Sequence, residues 1–172
     1  MQILEPDWPT PKRVRAAFTL RTGGVSAPPY DSLNVGAHVG DVPAAVAENR
    51  RRVRAHLELP AEPLWLEQVH GIEVLDLDET RSQTVASMTA DAAVARGAGS
   101  VCVMQVADCM PVLFAARDAS AVAAAHAGWR GLAAGVLEAT VARLRVPPRE
   151  LLAWLGPAIG PRHFEVGDEV RT

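Results

Sequence analysis

The sequence predicts a mixed α/β or α+β domain, with short buried strands in mixed β-sheets flanked by helices. Residues 101–106, 111–116 and 121–125 are short Val- and Ala-rich runs, each bounded by turn or polar residues, as buried strands are. Apolar residues recur at helical spacing at Leu132, Val136, Leu137, Val141 and Leu144. Strand and helix signals are interleaved without strict alternation, which favours mixed over purely parallel sheets.

The elements follow in order. Pro-rich residues 6–11 read as an extended arm and residues 15–20 as a first strand. Residues 21–40 carry four glycines and two prolines and have no regular period. A loop this long in a compact domain is functional or disordered; the interleaved Val25, Tyr30, Leu33, Val35 and Val39 predict one that is packed down. Asp41 is placed to cap a helix starting near Pro43, with Val46, Val53 and Leu57 on its inner face and Pro60 beyond its end. Residues 64–69 and 72–77 read as strands around His70-Gly71. Residues 78–89 read as a surface connection and 91–95 as a short strand. A helix over 131–144 stops at Pro147-Pro148, a strand follows at 151–155, and residues 168–172 resemble the opening of a helix.

Length and composition limit the function classes. The 172 residues fit one domain with a sizeable core. A net charge of −3 gives polyanions no general attraction, and the one dense basic cluster, Arg50-Arg51-Arg52 with Arg54, reads as a solvated helix face. Two cysteines are too few for a disulfide framework, so the default compartment is reducing. The N-terminus has no apolar core of a signal peptide, and no run reaches the roughly 20 apolar residues of a membrane span. The expectation is a soluble cytoplasmic protein, monomeric or weakly dimeric, with neither a nucleic-acid nor a membrane partner.

Metal-ligand chemistry sits where the predicted strands run out. Cys109 follows Asp108, and His126 precedes Ala-Gly-Trp-Arg-Gly. Loops converge at strand ends, and ligands bind there. The pair could act as a thiolate–imidazole nucleophile. With His70 as third ligand, it could instead hold zinc and leave a position open. Cys102, inside a predicted strand, reads as a core thiol, and His56 as a surface residue of the arginine-rich helix. Gly128-Trp129-Arg130-Gly131 leads into a helix, so it is either an anion site at a helix start or a tight turn anchored by Trp129.

The motifs RTGGVS, PYDSLNVG, HVGD, WLEQVHG, ADA, VADCMPVLF, AAHAGWRG, GPAIGP and FEVG occur in that order from Arg21 onward. Together they resemble the laccase-domain family, the multicopper polyphenol oxidase type associated with purine nucleoside phosphorylase activity. The resemblance implies a fold of mixed sheets and helices related to toxin deamidases that use a Cys–His pair. It implies zinc held by His70, Cys109 and His126. It also implies phosphorolysis of adenosine, inosine, guanosine and methylthioadenosine, with adenosine deamination at the same site. A bacterial branch is linked to peptidoglycan editing. Members continue well past FEVG, so a C-terminal part of the fold is expected to be missing from a chain ending at Thr172.

For such an enzyme, purine nucleoside and phosphate are the expected partners. Arg130 and the Gly131 amide are candidates for the phosphate, and Arg21, Ser26 and Asn34 are further substrate-binding candidates. Asp108 would shuttle a proton or orient a ligand. Other readings are a Cys–His hydrolase or amidase of peptidoglycan precursor editing, a copper-dependent polyphenol oxidase, and a non-catalytic purine-binding module. Two histidines and a cysteine could also accept one copper. Five histidines without a His-x-His pair cannot build a multi-copper laccase centre.

Overall fold

The computed structural model describes residues 1–80 and 88–170. Its packing falls into two compact units: Met1–Asp7 with Arg15–Pro63, and Trp8–Val14 with Leu64–Thr172.

In the first unit, β1 (Ile3–Leu4) pairs antiparallel with β2 (Phe18–Thr19). The strand expected over 15–20 therefore shrinks to a two-residue ladder. Residues 21–40 are irregular, and α1 spans Pro43–His56. Its N-cap is Val42, not Asp41. Asp41 turns back to the loop, where its carboxylate accepts the Ser26 hydroxyl at 2.6 Å and the Asn34 amide at 2.9 Å. The inner face of α1 buries Val46, Asn49 and Val53. Leu57, expected on that face, is half-buried just past the helix end.

The loop is tied down chiefly by polar bonds. Leu33 is buried, but Val25 and Val39 are exposed. Asn49, fully buried, accepts the Val25 amide at 2.8 Å and donates to Ser26 Oγ, the Ser32 carbonyl and the Asn34 carbonyl. The arginines of α1 are engaged locally: Arg51 and Arg52 pair with Glu48, Arg54 with Glu62, and Arg50 donates to the Val35 carbonyl.

The second unit contains β3 (Val74–Asp76), the short α2 (Leu77–Thr80), β4 (Ala92–Ala95), β5 (Met110–Ala116), β6 (Val122–Ala127), α3 (Trp129–Ala134), α4 (Val136–Leu144) and β7 (Leu151–Leu155). The strands form one sheet in the order β3-β4-β6-β5-β7, with β3 and β4 parallel and every other pair antiparallel. This is a mixed α+β fold with a multi-stranded sheet and flanking helices. Alternation sorts β4 between two cores. Ala92 and Val94 join Val112, Phe114, Val136 and Leu144, while Ala93 and Ala95 join Leu66, Leu77 and Ala90.

Several predicted elements differ. Residues 64–69 form no strand, only an isolated bridge between Glu67 and Thr89, and 72–77 contracts to β3. Residues 101–106 are half-buried but make no ladder. A side-chain amide meets their backbone instead: Gln105 N–H donates to Gln68 Oε1 at 2.8 Å, and Gln68 Nε2 donates to the Gln105 carbonyl at 2.8 Å. The single helix over 131–144 is two helices, broken at Gly135, whose φ of 101° lies in the left-handed region that glycine adopts at little cost. The break leaves Leu132 exposed. The connection 78–89 opens with α2, and 81–87 lies outside the described residues. Asp168–Val170 is a 3-10 turn, and 171–172 lies outside the described residues.

Candidate metal centre

Strand pairing brings the cluster together. The register of β5 on β6 (Met110 opposite Ala127) places Cys109 opposite Gly128, one step beyond the ladder. The register of β4 on β6 (Ala92 opposite Ala125) places Asp91 opposite His126, and the His126 N–H donates to the Asp91 carbonyl at 2.7 Å. Parallel pairing of β3 with β4 returns the 69–73 turn to the same end, where the Glu73 carbonyl accepts the amides of Asp91 and Ala92. One end of the sheet thus collects His70 from the turn before β3, Cys109 from the entry to β5 and His126 from the end of β6. Cys109 precedes its strand; no strand over 101–106 delivers it.

One ligand atom from each of His70, Cys109 and His126 lies within 4.8 Å of the other two. Cys109 Sγ is 3.6 Å from His70 Nε2, and the two imidazole rings meet edge to face with centroids 4.7 Å apart. The cluster grades from exposed His70 through half-buried Cys109 to buried His126. A Cβ on Gly128 would fall 2.7 Å from His70 Cδ2 and 2.8 Å from Cys109 Sγ, so only glycine fits between the two ligands. A Cβ on Gly131 would sit 3.0 Å from the Gly71 carbonyl, which puts the start of α3 hard against the His70 turn.

The donor set suits a borderline-soft divalent cation: a thiolate and two imidazoles are the ligands zinc takes, and three protein ligands leave a fourth position open. Burial lowers the His70 pKa, and the nearby His126 and Arg130 lower it further against the opposing charge of Asp91. Burial raises the Cys109 thiol, and the carboxylates of Asp108 and Asp91 add to that rise. Without a metal, the pair therefore favours neutral thiol beside neutral imidazole rather than a thiolate–imidazolium ion pair.

Asp91 is given no site role by the sequence reading, where it opens a strand and stands in the middle of the ADA motif. It is fully buried, and its carboxylate accepts the amides of Val69, His70 and Gly71 at 3.1, 2.9 and 2.7 Å and lies 2.8 Å from His126 Nδ1. The available signal is a charged residue at the mouth of the apolar run Ala-Ala-Val-Ala, a position that needs a polar partner.

The other candidates sit as follows. Asp108 is exposed beside Cys109. Arg130 is exposed and stacks over the Trp129 ring, its guanidinium carbon 4.4 Å from the ring centroid. Gly131 is buried at its close approach to the turn. Arg130 and Gly131 stand in the first turn of the six-residue α3 rather than of a helix running on to Leu144. Arg21, Ser26 and Asn34 belong to the first unit and are each bonded there: Arg21 to the Asp31 carbonyl, Ser26 and Asn34 to Asp41. Cys102 packs in the second core, and burial pushes its thiol up to about 12.

Residues 15–172 match the family model described as multi-copper polyphenol oxidoreductase laccase. The chain is similar to a Pseudomonas aeruginosa protein named purine nucleoside phosphorylase, at 60% identity over 168 residues that cover 98% of this chain and 66% of that protein. It is 57% identical over 170 residues to the purine nucleoside phosphorylase YfiH of Escherichia coli, covering 99% of this chain and 69% of that one. A crystal structure of a Neisseria meningitidis protein superposes with a TM-score of 0.90 at 47% identity, covering 98% of this chain and 68% of that one. The chain spans about two thirds of the length of these relatives. Matched by the family model over nearly its whole length, and carrying a His/Cys/His cluster at one end of its sheet, the chain belongs to the multi-copper polyphenol oxidoreductase laccase family.

Proposed function

We propose that the chain is a zinc-dependent purine nucleoside phosphorylase acting on adenosine, inosine, guanosine and methylthioadenosine, with adenosine deaminase activity at the same centre. The observation that carries this reading is the cluster of His70, Cys109 and His126 in a chain 60% identical to a protein named purine nucleoside phosphorylase. Bound there, zinc would supply Lewis-acid activation of a water or substrate oxygen.

In phosphorolysis a phosphate oxygen bonds to the anomeric carbon while the bond from that carbon to the purine nitrogen breaks. The electron pair goes to the base, which takes up a proton. Arg130 is the candidate for phosphate, because its guanidinium is exposed and it stands in the first turn of α3, four residues after His126. Asp108, exposed beside Cys109, is the candidate for carrying the proton. The Gly131 amide is proposed to assist Arg130 in holding the phosphate. Arg21, Ser26 and Asn34 are proposed to shape the glycine-rich loop, in keeping with their bonds to Asp31 and Asp41. A cytoplasmic site of action suits both substrates. Among the described residues no helix is long and apolar enough to cross a membrane.

The test is incubation of zinc-loaded protein with inosine. Hypoxanthine should appear with phosphate present and not without it. A Cys–His hydrolase is the second reading, favoured by the 3.6 Å approach of Cys109 Sγ to His70 Nε2. It would act on an amide or ester without phosphate or metal and would stop on alkylation of Cys109. That outcome would overturn the phosphorylase reading.

A further inference from the structure

We propose that Asp91 is the positioning residue of this centre, a buried carboxylate that fixes two of the three ligands before any metal arrives. Its Oδ1 faces both His126 Nδ1 at 2.8 Å and the His70 amide at 2.9 Å, while Oδ2 accepts the amides of Gly71 at 2.7 Å and Val69 at 3.1 Å. Four N–H groups on two oxygens fill an ionised carboxylate as an acceptor. The ring nitrogen facing it is therefore the protonated one, and His126 Nε2 is left bare toward Cys109 and His70.

The same carboxylate holds the turn. His70 has a φ of 61°, a left-handed conformation that a non-glycine residue adopts at a cost. Such a backbone persists where its surroundings over-determine it. Here three consecutive amides, Val69 to Gly71, converge on one side chain. Asp91 thus sets the tautomer of one ligand and the backbone of another.

Charge gives a further reason for the residue. The bonds to the Asp91 carboxylate come from three neutral amides and an imidazole, although the side chain is wholly buried. A buried charge without a counterion is costly. A divalent cation on His126 would supply that counterion across the ring, and with the Cys109 thiolate the three charges sum to zero. The substitution Asp91→Asn would keep the size but not this pattern. The new amide group would point N–H at N–H, either toward Val69 and Gly71 or toward His70 and His126.

The inference rests on the metal reading of the site, so the experiment separates the two. Long-range proton–nitrogen NMR of metal-free wild-type protein should show His126 protonated on Nδ1 and bare on Nε2. Protonation on Nε2 would overturn the proposal with no metal involved. Cobalt(II) is then titrated against a competing chelator; failure of the wild type to bind cobalt would sink the metal reading instead. Asp91→Asn should bind cobalt about 10- to 100-fold more weakly than wild type, with altered visible bands. Asp76→Asn is the control, a carboxylate buried in the same sheet but bonded to Arg96. It should lose thermal stability and keep wild-type cobalt affinity. Wild-type affinity in Asp91→Asn, or an equal loss in both variants, would overturn the assignment. Should Asp91→Asn not fold, the wild-type tautomer decides alone.

Discussion

Each of the two units ties a glycine-containing irregular segment to one wholly buried polar side chain. In the first unit Asn49 does this, and in the second Asp91. Asn49 both accepts and donates, and its partners are backbone groups and a serine hydroxyl. The side chain is neutral, stands on α1 and is satisfied by the loop it holds. Asp91 only accepts, carries a charge, and spends one bond on an imidazole whose far nitrogen faces the ligand cluster. The same mechanical solution therefore serves two ends: a neutral hub closes a loop on itself, and a charged hub projects through a histidine toward a ligand.

Breaking the neutral hub should cost stability and little else. Asn49→Leu keeps the branched shape but strands the Val25 amide and the Asn34 carbonyl, while the Ser32 carbonyl keeps the Ser26 amide. The expected loss is about 3 kcal/mol in chemical denaturation, since each stranded group costs roughly 1–3 kcal/mol. Cobalt affinity of the folded fraction should stay at the wild-type value; a fall in parallel with stability would erase the distinction between the hubs.

Disturbing the charged side should do the reverse. Gly128→Ala places a methyl between His70 and Cys109, at 2.7 and 2.8 Å from their atoms. A shift of about 1 Å in a ligand can cost on the order of 100-fold in rate. Phosphate-dependent hypoxanthine release should fall by about that factor, with the melting temperature far less affected. Wild-type turnover would mean that the two ligands do not act together.

The smallest effect sharpens the comparison by pH. Asp76 is a buried carboxylate with a different neighbour. Burial raises its pKa, but the Arg96 hydrogen bond and charge, with help from the Asp78 amide and Arg143, outweigh burial and lower it overall. A carboxyl whose folded pKa is lowered stabilises fully above its ordinary unfolded value and loses that contribution as pH falls through the folded one. Arg96→Gln should therefore cost stability near neutral pH, where that contribution is fully present, and move the acid-unfolding midpoint to higher pH. An unchanged acid midpoint would show that Arg96 does not hold Asp76 ionised.

The sequence exposes some of this architecture and hides the rest, for physical reasons. Cys109 and His126 stand beside runs whose alternation and length mark strands, so a cluster at strand ends could be read from pattern alone. His70 could be read as a third partner because it too closes an apolar run. The partners of Asp91 could not be read, because they depend on β4 lying between β3 and β6; its charge at the mouth of Ala-Ala-Val-Ala signals only that it needs some partner. Residues 101–106 have the composition of a strand, but their backbone is met by Gln68 rather than by a ladder. The long helix breaks at Gly135, which helical periodicity reads through. Asp41 has the look of a cap and instead serves Ser26 and Asn34, a competition that only the folded loop decides.

The most direct measurement of the metal assignment is zinc stoichiometry in three purified proteins. The wild type should carry one zinc per chain, the open three-ligand centre of a catalytic site. Cys102→Ala should carry the same amount, because that thiol is packed in a core and held protonated. Cys109→Ala should carry essentially none. Zinc retained by Cys109→Ala, or lost from Cys102→Ala, would contradict the assignment of His70, Cys109 and His126 as the metal centre.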